Sequence, residues 1–172
     1  MAGDEKRIIV LNRSDDLSHR VAFMFSMMDK VRSRLLKQID DLSIEELDFT
    51  PDDKNIETIG TLIQHIAAVE WSWIFEDIDG VEMDYEKWKH AFALREDIPQ
   101  QRGKKLKFYL DMLQGVRDDV LKRISEFNDS ELHHLVDVGA AVVSIEWILF
   151  HLIEHEAMHI GQISMLKRLQ KK

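Results

Sequence analysis

The chain has 172 residues and a formal net charge of -9 at pH 7, from 23 Lys+Arg against 32 Asp+Glu. That length suits one domain over 1–172 with a substantial core, and the acidic balance argues against a phosphate backbone as partner, so no nucleic acid is expected. Cysteine is absent, which excludes disulfides, thiolate nucleophiles, iron–sulfur clusters and cysteine-bearing zinc sites, and leaves nitrogen and oxygen as metal donors.

With 2 Pro and 7 Gly, and no gathering of β-branched residues into alternating runs, helix is favoured throughout. The first predicted helix runs from Asp16 to Asp40. Its stripe is Leu17, Val21, Met24, Met28, Val31, Leu35 and Ile39, with Ser14 or Asp15 as the N-cap. A polar stretch, Asp41 to Asn55, follows. The second helix runs from Glu57 to Asp77, with Ile59, Leu62, Ile63, Ile66, Val69 and Trp73 inward and Gly80 just past its end. Between Val81 and Gln100, Tyr85, Trp88 and Phe92 predict a short extra helix. The third helix covers Gln101 to Phe127, just after Pro99. The fourth runs from Val142 to Gln170. No strand is predicted. Apolar stripes bury only against other elements, so an all-α four-helix bundle is expected. Its connections exceed those of simple hairpins, which favours crossovers.

The opening Met1 to Arg7 has no apolar h-region, and no apolar run reaches the length of a membrane span. A cytoplasmic protein without a membrane partner is the simplest reading. The basic residues Lys167, Arg168, Lys171 and Lys172 read as the solvated end of a helix.

The chemistry concentrates in the fourth helix, in the run His151-Leu-Ile-Glu-His155-Glu-Ala-Met-His159-Ile-Gly161-Gln162. His155 and His159 are four residues apart and share a helix face, so they can grip one metal ion. Imidazole suits zinc, nickel, copper and iron, and the pair alone does not name the metal. His151 extends the ladder, but it lies about 12 Å from His159 along the axis, too far for one shared ion. The third ligand must come from another helix. His65 is the best donor, because its neighbours Leu62 and Val69 turn it inward and packed helices lie about 8–10 Å apart. His19, His90, His133 and His134 are weak candidates.

His155-Glu156-Ala-Met-His159 also matches the zincin pattern H-E-x-x-H, in which Glu156 would be a general base. Only thirteen residues follow His159, and no strand is expected to carry a peptide, so a peptidase is disfavoured. A surface salt bridge is the plain reading of Glu154 and Glu156. Gly161 costs about 1 kcal/mol inside a helix, which suggests either close approach of another group or mere tolerance by a helix that continues for two more turns. Trp147 reads either as the wall of an apolar pocket leading to the ion or as core.

These residues resemble the DinB-like family of helical bundles, which includes the YfiT-type proteins. His155-Glu-Ala-Met-His159-Ile-Gly161-Gln162 looks like that family's closing signature, and Leu62-Ile-Gln-His65-Ile-Ala-Ala-Val-Glu70 like its first ligand segment. The resemblance spans nearly the whole chain. It implies up-down-down-up topology, a metal triad of His65, His155 and His159, one divalent ion, zinc or nickel, and a homodimer. Phe23, Phe25, Met27, Trp71 and Phe75 fit a dimer too, because they cannot all face one interior. Three histidines leave an open coordination position, the arrangement of a catalytic ion.

Among relatives of this kind are thiol S-transferases using bacillithiol or mycothiol. The leading expectation is therefore a bacillithiol-type S-transferase taking a low-molecular-weight thiol and a small electrophile as substrates, with His151 or Glu154 moving a proton. A metal-dependent hydrolase and a non-catalytic, metal-stabilised or metal-sensing bundle are the alternatives.

Overall fold

Four long helices carry the fold in the computed structural model, which describes residue 11 and residues 16–51, 56–93 and 98–171. In chain order the helices are α1 (His19–Ile39), the short α2 (Ile44–Leu47), α3 (Ile59–Trp71), the short α4 (Tyr85–Trp88), α5 (Leu106–Ile124) and α6 (Ile145–Leu169). Most of the predicted stripe residues form the core: Val21, Leu35, Ile39, Ile59 and Ile63 are fully buried, and Val120 and Ile124 on α5 and Ile148 on α6 join them.

Residue pairs fix the directions. Arg20 meets Glu146, Arg32 meets Glu156 and Lys167 meets the Gln38 carbonyl, so α1 and α6 run parallel. Gly60 lies against Tyr109 and Glu70 against Arg117, so α3 and α5 also run parallel. His65 reaches His159 while Trp73 reaches Trp147, which sets α3 antiparallel to α6. The bundle is up-down-down-up. The expected short helix between the second and third long helices is α4, continued by a tight 3-10 turn over Lys89–Phe92.

Several boundaries move, each for a local reason. Ser14 and Asp15, expected to cap α1, lie outside the described residues; α1 begins after Ser18, whose hydroxyl donates to the Phe127 carbonyl. α3 starts later than expected because Thr58 caps it, accepting from the Thr61 amide at 3.0 Å. After Trp71 the coil widens into a π-helical stretch, Ser72–Ile78, and stops at Gly80, whose φ of 69° is a conformation glycine adopts without strain. Gly103 at φ 72° delays α5. The polar stretch after α1 holds α2, closed by a Ser43–Glu46 capping box.

The expectation of no strands is wrong. Leu135–Asp137 and Val142–Ser144 pair antiparallel around the Gly139 turn, and Ser144 then caps α6 by accepting from the Trp147 amide. Three-residue strands are too short to leave an alternating pattern in the sequence.

Candidate metal centre

The three expected ligands come together between α3 and α6. His155 Nε2 lies 3.3 Å from His65 Nε2 and 3.0 Å from His159 Nε2. One donor atom from each ring falls within 4.8 Å of the others. Tetrahedral bonds of about 2.0–2.1 Å place ligand nitrogens about 3.3–3.4 Å apart, so the spacing fits one ion. The outer ring nitrogens are held as well. His65 Nδ1 faces the Ala91 carbonyl at 3.0 Å, and His159 Nδ1 faces Gln162 Oε1. Both partners are acceptors, so each Nδ1 carries the proton and each Nε2 turns its lone pair inward, the tautomer a ligand needs. The donor set is all imidazole, which suits zinc, nickel, copper and iron alike. Phe92 closes one side, its ring centroid 5.6 Å from that of His65 and the two planes at 88°. The extra helical insert thus supplies both an acceptor and a lid to the triad.

His151 stands outside the triad. Its ring centre is 5.9 Å from that of His155, and its Nδ1 is 3.9 Å from Glu154 Oε2, beyond hydrogen-bond distance. Its ring stacks on Trp147, which is 41% exposed and therefore not core. His90 faces the Pro99 carbonyl and His133 faces Arg20, so neither approaches the triad.

Two expectations about this helix fail. Glu156 is neither a general base beside the triad nor a surface ion pair. It is 4% exposed and belongs to a buried quartet with Arg32, Glu70 and Arg117, one residue from each long helix. Burying a carboxylate beside His155 is tolerated because two guanidiniums neutralise two glutamates. Gly161 makes no close approach; an added Cβ would meet nothing within 4 Å. It borders a groove of about 560 Å³ together with Leu62, Met158, Gln162 and Met165.

The two glutamates of the quartet shift in opposite directions. Burial is the largest influence on each and pushes both upward. At Glu70, Arg32 and Arg117 each donate at 2.6 Å and outweigh it, holding that carboxyl below its usual range. Glu156 has one short bond, 2.7 Å from Arg32 Nε, with the others at 3.2 and 3.3 Å, so burial prevails and the carboxyl is raised. A cavity of about 10 Å³ lined by Glu70, Arg117, His155 and Glu156 separates quartet from triad, space for at most about one water. The quartet was missed in the sequence because Arg32 and Arg117 interrupt apolar stripes as any solvated arginine would. Glu70, three residues before the expected inner Trp73, was the available signal.

Comparison with known proteins agrees with this geometry. The family described as Mycothiol-S-transferase matches residues 23–170. A crystal structure titled as that of the conserved protein of locus from Enterococcus faecalis superposes with a TM-score of 0.65, at 15% identity, covering 85% of this chain and 94% of the other. At that identity the likeness is one of fold. No curated protein matches significantly.

Proposed function

This chain belongs to the mycothiol-S-transferase family, and we propose that it is a metal-dependent S-transferase joining a low-molecular-weight thiol to a small electrophile. The observation that carries the reading is the convergence of three Nε2 atoms, with the outer nitrogens of His65 and His159 already oriented. We assign His65, His155 and His159 as ligands of one divalent ion, zinc or nickel. Such an ion supplies Lewis acidity that lowers the pKa of a bound thiol or water.

The chain's own residues do the rest. Ala91 and Gln162 fix two ring planes, and Phe92 keeps water from one side of His65. His151 is the proton acceptor. Its Nδ1 lies 3.9 Å from the Glu154 carboxylate, too far for a hydrogen bond but near enough for that negative charge to face the ring. The thiol proton passes to Nε2 as sulfur bonds to the electrophilic carbon, and the leaving group departs with its electron pair. Glu154 then stabilises the imidazolium.

We read residues 1–172 as one domain, acting as a homodimer in the cytoplasm on small molecules. Among the described residues no helix is long and apolar enough to cross a membrane, and the lack of cysteine suits a reducing compartment. Phe23 is 38% exposed, while Phe25, Met27, Trp71 and Phe75 are partly buried, so the expected apolar surplus is largely covered within the chain. Exposed Met158, Met165 and Leu169 on α6 favour the dimer more than Phe25, Met27, Trp71 and Phe75 do. Sedimentation giving only the 20.2 kDa species at micromolar concentration would remove the dimer.

The test of function is a panel of metal-loaded protein, an electrophilic reporter, and mycothiol, bacillithiol, glutathione or water. Thiol-dependent turnover that vanishes in His155→Ala supports transfer. Turnover with water alone moves the assignment to hydrolase, and none at all to a structural or sensing bundle.

A further inference from the structure

Beside the triad stands a shelf of rings that the transfer chemistry leaves unused as a surface. Trp147 and His151 stack with centroids 5.0 Å apart and planes 3° from parallel. Trp73 meets both edge-on, at 5.8 Å from Trp147 and 5.1 Å from His151. His151 in turn lies 5.9 Å from His155, so ring contacts run unbroken from solvent to the triad. The shelf is built on fixed elements. Trp147 sits in the capped first turn of α6, its amide held by Ser144. Trp73 sits in the π-helical stretch that continues α3, and such widened turns recur at functional sites. With 41% of its surface exposed, Trp147 offers an indole surface to solvent.

We propose that Trp73, Trp147 and His151 form the subsite for the electrophile, and that it selects substrates bearing a neutral, planar aromatic ring. The proposal rests on the S-transferase reading for the identity of the ring as electrophile. Offset or edge-to-face stacking on indole favours planar rings beyond simple area burial. Glu154, 3.9 Å from His151, sets a carboxylate on the rim that disfavours an anionic ring. A reactive carbon at the edge of a ring over His151 lies about one helical turn, ~6 Å, from His155. The reaction this suits is substitution at an aryl or benzylic halide. The thiol sulfur forms the new C–S bond, the carbon–halogen bond breaks, halide leaves with the electron pair, and the thiol proton goes to His151 and then solvent. The Met158–Met165 groove is the competing location. None of the described residues lining it is a triad histidine; Gln162 links it to the triad at the outer nitrogen of His159, so a ligand there meets the far side of that ring from the ligating face.

Binding and turnover are measured separately on the full chain. Calorimetry with unreactive 1,3-dinitrobenzene should detect binding to wild type that weakens about three- to tenfold in Trp147→Leu, is largely kept in Trp147→Phe, and is unchanged in Met165→Ala. With 1-chloro-2,4-dinitrobenzene the Trp147→Leu protein should show a KM raised by the same factor, while KM for iodoacetamide stays constant. Unaltered dinitrobenzene binding in both Trp147→Leu and Trp73→Leu overturns the subsite, as does loss of binding in Met165→Ala alone. So does protection of Trp147 from acrylamide quenching by a second copy of the chain. Trp147-dependent binding without any thiol turnover supports the ring subsite and refutes the transferase reading instead.

Discussion

Replacing Arg32 with Met isolates the buried quartet. The guanidinium donates to Glu156 at 2.7 and 3.2 Å, to Glu70 at 2.6 Å and to the Leu113 carbonyl at 3.1 Å. Methionine keeps much of the stem and removes all four bonds. Arg117 is then left facing two buried carboxylates, one charge in excess. Removing one partner of a buried pair costs about 3–5 kcal/mol, a large share of the roughly 5–15 kcal/mol that holds a domain folded. Replacing Glu156 with Leu in the same chain removes the excess charge and leaves Arg117 with Glu70 at 2.6 Å. The double variant should therefore be more stable than the sum of the two losses by about 1–3 kcal/mol. Urea unfolding followed by circular dichroism at neutral pH measures both, provided the m values agree. A loss below about 1 kcal/mol in Arg32→Met, or additivity within about 0.5 kcal/mol, would refute the reasoning.

Three further outcomes follow from other contacts. Gly60→Ala puts a Cβ 2.5 Å from the Tyr109 hydroxyl and 2.8 Å from Cζ, an overpacking worth about 1–3 kcal/mol by urea midpoint; in a Tyr109→Leu background the same change should cost less, and an equal cost would absolve Tyr109. Gln162→Ala frees the His159 ring, so metal affinity in competition with a chelator should fall about 10–100-fold, and an unaltered affinity would show that the contact orients nothing. Glu70 is held below its ordinary 4.5, so its pairs add stability above that pH; on acidification the unfolded chain takes the proton first, and stability declines as the pH falls toward the lower folded value. The urea midpoint plotted against pH should thus drop on its acid limb in wild type and flatten in Glu70→Gln, whereas parallel limbs would assign the acid sensitivity elsewhere.

The sequence carried the bundle and the triad for a simple reason. Val21, Met24, Met28, Val31 and Leu35 recur three and four residues apart along α1, and such spacing survives any rearrangement of loops. His155 and His159 are one turn apart on one helix, so local geometry alone pairs them, while His65 needed only an inward face. What stayed hidden depends on partners distant in the chain. Glu156 reads as solvated until Arg32 arrives from α1 and Arg117 from α5. Gly60 gives no hint of Tyr109 forty-nine positions on, and Gly161, which did suggest a close neighbour, has none within 4 Å. The Leu135–Ser144 hairpin is specified by the Gly139 turn and its register, not by a hydrophobic period.

The central claim is that α3 and α6 share one ion, and metal content by elemental analysis reads it directly. Purified wild-type protein loaded with zinc or nickel and desalted should retain one ion per chain. His65→Ala and His159→Ala should each lose it to the same degree, with circular dichroism reporting an intact bundle. Full retention in His65→Ala, at wild-type helicity, would contradict the account, because the ion would then be held without α3.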